Sequence, residues 1–256
     1  FMTAAKLGVS VGVSESTVVR FAIELGFSGY PKLQKSLQEL IKNKLTTVQR
    51  LELSSDYITE GHALKGVLKA DMENIRSTME KIDYNTFEDV VNNIFAAKRI
   101  YIIGLRSSMA LAEFLGFYLN IILQNVKTVG YGISDIFEQM INVGEGDLVI
   151  GIGFPRYASR TIDALAFAQD RGATVVAVTD SFLSPLAARA DYSLIAQSNM
   201  ASFVDSLVAP LSVINALIIA VGMREKENIS STFNSLEEIW REYNVYSYNN
   251  RNVGDD

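Results

Sequence analysis

Arg99 to Ala112, RIYIIGLRSSMALA, is the stretch from which the fold follows. Four apolar residues, Ile100 to Ile103, run straight into Gly104, and Ser107 and Ser108 then open a long apolar helix. A strand, a tight turn and a helix start aim several backbone N–H groups and the positive end of the helix dipole at one point. With serine hydroxyls beside them, that setting suits an anion such as a phosphate ester. The same Gly-Ser turn also serves simply to cap the next helix, so the rest of the chain has to decide between the two.

From Phe87 onward, short apolar strands at Arg99–Ile103, Val126–Val129, Asp147–Ile152, Thr174–Thr179 and Tyr192–Ile195 alternate with helical stretches. That alternation predicts an α/β domain, a parallel five-stranded sheet flanked by helices, with ligand sites at the carboxyl ends of the strands. The turn at Gly104 lies at such an end. So does GIGFPRYASRT, Gly151 to Thr161, which holds Arg156, Tyr157, Ser159, Arg160 and Thr161 just before another helix. Donors at two adjacent strand ends would converge on one anion.

The N-terminal fifty residues have another character. Thr3 to Val11 reads as a short helix with Ala4, Ala5, Leu7 and Val11 inward, ended by Gly12. Ser14 is then a good N-cap for a second helix with Val18, Val19, Ala22, Ile23 and Leu25 at helical spacing and Gly26 just past its end. The short connection makes a helix-turn-helix, an all-helical N-terminal domain. Ser14, Glu15, Ser16 and Thr17 begin the second helix and Arg20 follows one turn on, side chains suited to base edges and phosphates of double-stranded DNA. A plain helical hairpin with solvated polar residues has the same spacing. Charge supports the first reading: residues 1–50 hold 7 Lys/Arg against 3 Asp/Glu, net +4, whereas residues 51–256 hold 16 against 26, net −10.

Between these parts, Leu33, Leu37, Ile41, Leu45 and Val48 predict an amphipathic helix from Pro31 to about Arg50, and the polar run Glu52–His62 is a boundary. His62, the one histidine, reads as an exposed linker residue. Leu64, Leu68, Met72, Ile75, Met79 and Ile82 then repeat at three- and four-residue spacing, a stripe that is either core or a dimer seam. The domains are therefore 1–50 (helix-turn-helix), 51–86 (linker helices), 87–223 (the α/β domain) and 224–256 (a docked helix through Phe233, Leu236, Ile239, Trp240 and Tyr243, then a disordered end).

With 256 residues, 48% of them hydrophobic, the chain can bury a large core. It has no cysteine, which excludes disulfides, thiolate chemistry and cysteine-held metals and makes a reducing cytoplasm the expected compartment. No metal or cofactor is implied. Phe203 to Gly222 is nearly continuously apolar, but Asp205, Pro210 and Asn215 interrupt it and no cationic flank precedes it, so a buried helix is expected and not a membrane partner. The opening on Phe1, with no basic and apolar leader, reads as an N-terminally truncated fragment.

The text AAKLGVSVGVSESTVVRFAIELGFSGYPKL resembles the helix-turn-helix of the RpiR (MurR/RpiR) family of bacterial sugar-responsive transcription regulators. Gly12 to Ser14, Thr17 to Phe21 and Leu25 to Leu33 match that family's turn, recognition helix and exit. Downstream, the two donor loops together with GDLVIGI, VVAVTDSFLSPLAARAD and SFVDSL resemble the SIS, or sugar-isomerase, domain of the same regulators, so the resemblance spans roughly residues 3–222. It implies a flavodoxin-like SIS fold, a phosphosugar effector, DNA as partner and a homodimer or homotetramer. On that resemblance Gly104, Ser107 and Ser108 match the first phosphate turn and Thr161 closes the second loop, while Ser202 and Asp205 are placed to reach sugar hydroxyls, Ser202 alternatively as an N-cap. The chain departs from the pattern where Arg106 replaces the second glycine of the Gly-x-Gly turn and where Gly153 and Ala158 replace frequent serines. Arg106 and Arg156 can compensate by gripping a carboxylate or phosphate, which points to a phosphorylated sugar acid; salt bridges to the acidic surface are the alternative. The same fold hosts isomerases and etherases, but the domain lacks a histidine, leaving Glu113 and Glu138 as the available bases. A DNA-free metabolic adaptor is the third class.

Overall fold

The structure is a computed structural model, and it describes residues 2–42, 46–54, 62–200 and 202–247. By its contacts the chain divides into two compact units: Phe1–Ala70 with Met200–Asp205, and Asp71–Asn199 with Ser206–Asp256.

The first unit begins with α1 (Ala4–Val11) and α2 (Glu15–Glu24). Gly12, at φ 73°, ends α1 in the left-handed conformation that glycine adopts without a Cβ penalty, and Ser14 caps α2 by accepting from the Thr17 N–H at 3.2 Å. With α3 (Tyr30–Lys42) these helices enclose a small core of Val18, Ala22, Tyr30 and Leu33, against which Ala4, Leu7, Val19 and Phe27 pack. Ala5, Val11, Ile23 and Leu25 face solvent instead of the core expected for them, because a three-helix core this small covers only one narrow stripe of each helix. Gly8 has a steric role that spacing does not reveal: the chain folds back so that Val13 N–H donates to Gly8 O at 2.9 Å, and a Cβ there would lie 2.8 Å from Val13 O. The helix expected from Pro31 to Arg50 is two elements, α3 and α4 (Thr47–Ser54), with residues 43–45 outside those described. Residues 55–61 of the expected boundary segment, and 248–256 of the expected disordered end, also lie outside them.

α5 (Ala63–Lys81) crosses from the first unit into the second, where α6 (Tyr84–Ala96) precedes the sheet. β1 (Ile100–Ile103), α7 (Met109–Leu123), β2 (Val126–Val129), α8 (Ile136–Gln139), β3 (Leu148–Ile152), α9 (Ser159–Asp170), β4 (Thr174–Thr179) and β5 (Tyr192–Ile195) follow, and α10 (Val208–Arg224) and α11 (Lys226–Glu242) complete the domain. All five strands are parallel, in the order β2-β1-β3-β4-β5. Side chains alternate between faces as the pleat requires: Ile100 and Ile102 join the core under α6, α7 and α10, whereas Tyr101 and Ile103 join the core under α8 and α9. At the opposite end of the sheet from the turn, the buried Asp147 carboxylate takes two bonds from Arg99, Nε at 3.1 Å and Nη2 at 2.8 Å, and one from Gly144 N–H at 3.0 Å.

The apolar run expected as one helix from Phe203 begins its helix only at Val208, with Leu207 as N-cap, so Ser202 is not its cap. Pro210 sets that limit: proline is tolerated in a first turn, where its missing N–H has no intrahelical partner anyway. Among the described residues no single helix is long and apolar enough to cross a membrane.

Gly8→Ala, which places a methyl against an immovable carbonyl, is expected to destabilise the helix-turn-helix unit by about 1–3 kcal/mol, measured as loss of far-UV helicity in a thermal melt; an unchanged melt would mean that the close approach at Val13 is not a constraint.

Candidate functional site

The strand order places a topological switch point at β1. β2 lies on one edge of β1 and β3 on the other, and the helices that follow β1 and β3 go to opposite faces of the sheet: α7 packs in one core and α9 in the other. A crevice opens between the two connections at the carboxyl ends of the strands, the usual ligand position in open α/β sheets. Because Ile103 is in register with Gly151, the turn that starts at Gly104 and the loop that follows Ile152 are neighbours. The structure thus brings Gly104, Arg106, Ser107 and Ser108 together with Arg156, Tyr157, Ser159 and Thr161 at one point of the fold.

Gly104 is needed for close approach. A Cβ there would sit 2.7 Å from Ser108 O, so only glycine lets the 3₁₀ turn Arg106–Ser108 fold back over the strand end. Arg106, inside that turn, has φ 58°, and Arg156 in the second loop has φ 67°. Both are left-handed, a conformation costing a residue with a Cβ on the order of 1–2 kcal/mol. The departure from glycine at 106 is therefore a left-handed position held by an arginine. Arg106 is exposed and makes no hydrogen bond or ion pair among the described residues.

Neither helix that starts here has a side-chain cap. Ser108 at α7 and Ala158 at α9 make no capping bond, whereas Thr3, Ser14, Asp83 and Asp135 cap α1, α2, α6 and α8. Ser107 and Ser159 are exposed, Ser108 is buried, and Thr161, in the first turn of α9, is 1% exposed with no partner for its Oγ1. A buried hydroxyl without a partner forfeits about 1–3 kcal/mol. Arg160 is held elsewhere: it pairs with Asp135 and lies over the Phe137 ring at 4.9 Å.

Tyr157 turns away from a simple donor role. Its hydroxyl donates to Asp180 Oδ1 at 2.7 Å at the end of β4, and the Asp180 carbonyl accepts from Gln197 Nε2 at 3.2 Å. Beyond β5, Gln197 N–H donates to Thr78 Oγ1 at 2.8 Å, and Thr78 Oγ1 donates to Asn74 O at 2.8 Å within α5. Asn74 and Asn199 exchange two further bonds, Nδ2 to O at 2.9 Å and N–H to Oδ1 at 3.2 Å. A continuous hydrogen-bonded chain thus joins the second loop to α5. Asp180, Gln197, Thr78 and Asn74 were not singled out by sequence; the place of Asp180 directly after an apolar strand was the available signal.

Ser202 and Asp205 are not brought to these loops. Both belong to the other unit, where Arg50 Nη1 donates to Asp205 Oδ1 at 2.8 Å, with the Arg50 side chain 1% exposed. The expectation that Asp205 reaches a sugar hydroxyl fails on this pairing: a carboxylate holding a buried guanidinium has a structural task whose loss would strand that charge.

In the first unit, Ser14, Glu15, Ser16 and Arg20 are exposed along the start of α2 and Thr17 is half-buried. Ser14 Oγ lies 2.8 Å from both Ser16 Oγ and Thr17 Oγ1, a hydroxyl cluster at the helix N-terminus. Arg20 has no ion-pair partner among the described residues.

Comparison with known proteins agrees with this layout. The helix-turn-helix domain of the rpiR family matches residues 2–44, and the SIS domain matches residues 93–220, half of the chain. The chain belongs to the RpiR family. An HTH-type transcriptional regulator of Haemophilus influenzae is 29% identical to it over 228 residues, 86% of this chain and 77% of the relative. The sugar isomerase domain of an RpiR transcription factor from Sphaerobacter thermophilus is 30% identical and covers 69% of this chain and 99% of its own, with a TM-score of 0.66. The Vibrio vulnificus NanR protein, solved as a complex with ManNAc-6P, shares the fold over 95% of this RpiR chain and 87% of its own at 19% identity, TM-score 0.58.

Thr161→Val, near-isosteric and apolar, is expected to leave the RpiR chain as stable as the parent or about 1 kcal/mol more so, measured by thermal or chemical denaturation; a clear loss of stability would show that the hydroxyl has a structural partner.

Proposed function

We propose that this chain is a DNA-binding transcriptional regulator of sugar-metabolism genes, acting in the cytoplasm, whose SIS domain binds a phosphorylated sugar or sugar acid as effector. The observation that carries the effector reading is the switch-point crevice: two adjacent loops with uncapped helix starts, a buried unpartnered hydroxyl at Thr161 and two left-handed arginines. Uncapped N–H groups and a positive dipole end attract a phosphate group. In this reading Gly104, Ser107, Ser108, Ser159 and Thr161 receive the phosphate, and Arg106 and Arg156 grip a second anionic group, so a phosphorylated sugar acid is favoured over a neutral phosphosugar. The NanR complex with ManNAc-6P supports a phosphosugar as the ligand class for this fold. Tyr157 positions the second loop through Asp180.

The exposed hydroxyl cluster and Arg20 on α2, in the basic part of an acidic chain, are the proposed DNA contacts, and two copies would read paired half-sites. The hydrogen-bonded chain from Tyr157 to α5 offers a route by which the effector biases the arrangement of recognition helices, since α5 is covalently continuous with the helix-turn-helix unit. Catalysis is the weaker reading: Glu138 spends its Oε2 on Asp135 N–H at 2.9 Å in a capping box, and Glu113 is an exposed carboxylate on α7.

Three measurements test this reading. Gel shift on the chain's own upstream region should show salt-dependent binding that Arg20→Ala weakens about 10-fold while lowering the salt slope by about one; no binding at low salt, with or without phosphosugars, would contradict a regulator. In a thermal-shift screen, Arg106→Gly should raise the melting temperature through relief of the left-handed strain yet bind a phosphorylated sugar acid at least about 10-fold less tightly, near 1.4 kcal/mol. Unchanged affinity would remove Arg106 from the site. Thr78→Val should leave both DNA and effector affinity near the parent values and blunt the effect of one on the other, and a full response would exclude the proposed route.

A further inference from the structure

α5 is packed the wrong way round for a surface helix. Its polar side is buried: Asn74 and Thr78 are 1% and 5% exposed and bond the run after β5, and Asp71 accepts from Ser206 Oγ at 2.6 Å. Its apolar stripe, Leu64, Leu68, Met72, Ile75 and Met79, is 40–75% exposed along the whole helix, with Val67 exposed beside it. An amphipathic helix normally turns its apolar stripe inward. Here the hydrogen bonds from Asn74 and Thr78 set the rotation of the helix and hold the stripe out. A contiguous apolar strip of about 22 Å, taking 1.5 Å per residue from Leu64 to Met79, marks an association surface.

The structure assigns this stripe, we infer, to an antiparallel seam with α5 of a second copy of the chain. The stripe is nearly symmetric about its midpoint, so reversal sets Leu64 opposite Met79, Leu68 opposite Ile75 and Met72 beside its own counterpart. Its three- and four-residue spacing is that of a two-helix seam. The charges on one flank select the same partner and direction. Lys65 and Lys69 precede the midpoint, Glu73 and Glu80 follow it, and an antiparallel pair brings equal flanks together, so the lysines of one copy face the glutamates of the other. The seam deepens the regulator reading, which calls for two recognition helices, and ties their pairing to the helix that receives the hydrogen bonds of Gln197 and Asn199. Its test needs neither DNA nor effector, so its failure is separable from failure of that reading.

The chain has no cysteine, which makes single-cysteine variants clean probes. On mild oxidation, Met72→Cys should give a disulfide-linked dimer by itself, whereas Leu64→Cys and Met79→Cys should link only when mixed. Light scattering after gel filtration should show the parent as a dimer or higher oligomer, and Met72→Glu, at an exposed position, should halve that mass while keeping its far-UV helicity. A monomeric parent, or a folded Met72→Glu of unchanged mass, would overturn the seam. Self-linking of Leu64→Cys, or no linking in any arm, would overturn its antiparallel direction and its existence respectively, including the case in which a different protein or a lipid surface covers the stripe.

Discussion

Pairing of β1 with β2 on one edge and β3 on the other is the constraint on which the rest of the molecule depends. Parallel strands require a crossover each time, and reversing direction at β1 sends α7 and α9 to opposite faces. The crevice between their N-termini is thus a product of topology before any side chain is considered. What the side chains add is restraint: Gly104 allows the first turn to close on Ser108, and the Asp147 network pins β1 to the loop before β3 at the far end of the strands.

The two arginines give the crevice its particular character. A left-handed arginine costs more than the glycine it replaces, and the surrounding structure holds two of them, at 106 and 156, in the loops that flank the switch point. Strain at that place is intelligible if the guanidinium serves a ligand. The same logic applies to Thr161, whose buried hydroxyl goes without a partner. Each is a local cost that a phosphate or carboxylate would offset, and together they separate this SIS domain from a mere scaffold.

Much of the fold was legible because it depends on short-range pattern. All five strands fall where apolar runs ended in Gly, Ser or Thr, and Ser14, Gly12 and Gly26 bound the helix-turn-helix as their conformational preferences require. The two anion loops were legible for the same reason, since a Gly-Ser turn and a donor-rich loop are local features. What escaped were long-range matters. Asp205 pairs with Arg50, 155 positions away, and no local signal distinguishes that carboxylate from one facing a ligand. The stripe on α5 was visible, but whether it faced inward depended on Asn74 and Thr78 finding Asn199 and Gln197, more than a hundred residues on. Ile23 and Leu25 had helical spacing yet lie in solvent, because spacing says that a face exists and not how much of it the neighbours cover.

The central claim is that effector and DNA sites are energetically coupled, and linkage gives it a strict form: whatever factor the effector applies to DNA affinity, DNA must apply to effector affinity. Fluorescence anisotropy of labelled upstream DNA, titrated at fixed salt with and without the phosphosugar or phosphorylated sugar acid that most raises the melting temperature, is the most direct measurement, paired with calorimetric titration of that ligand with and without DNA. The expected result is the same coupling factor in both directions, roughly 5- to 150-fold. Tight effector binding with DNA affinity unchanged would contradict the regulator account.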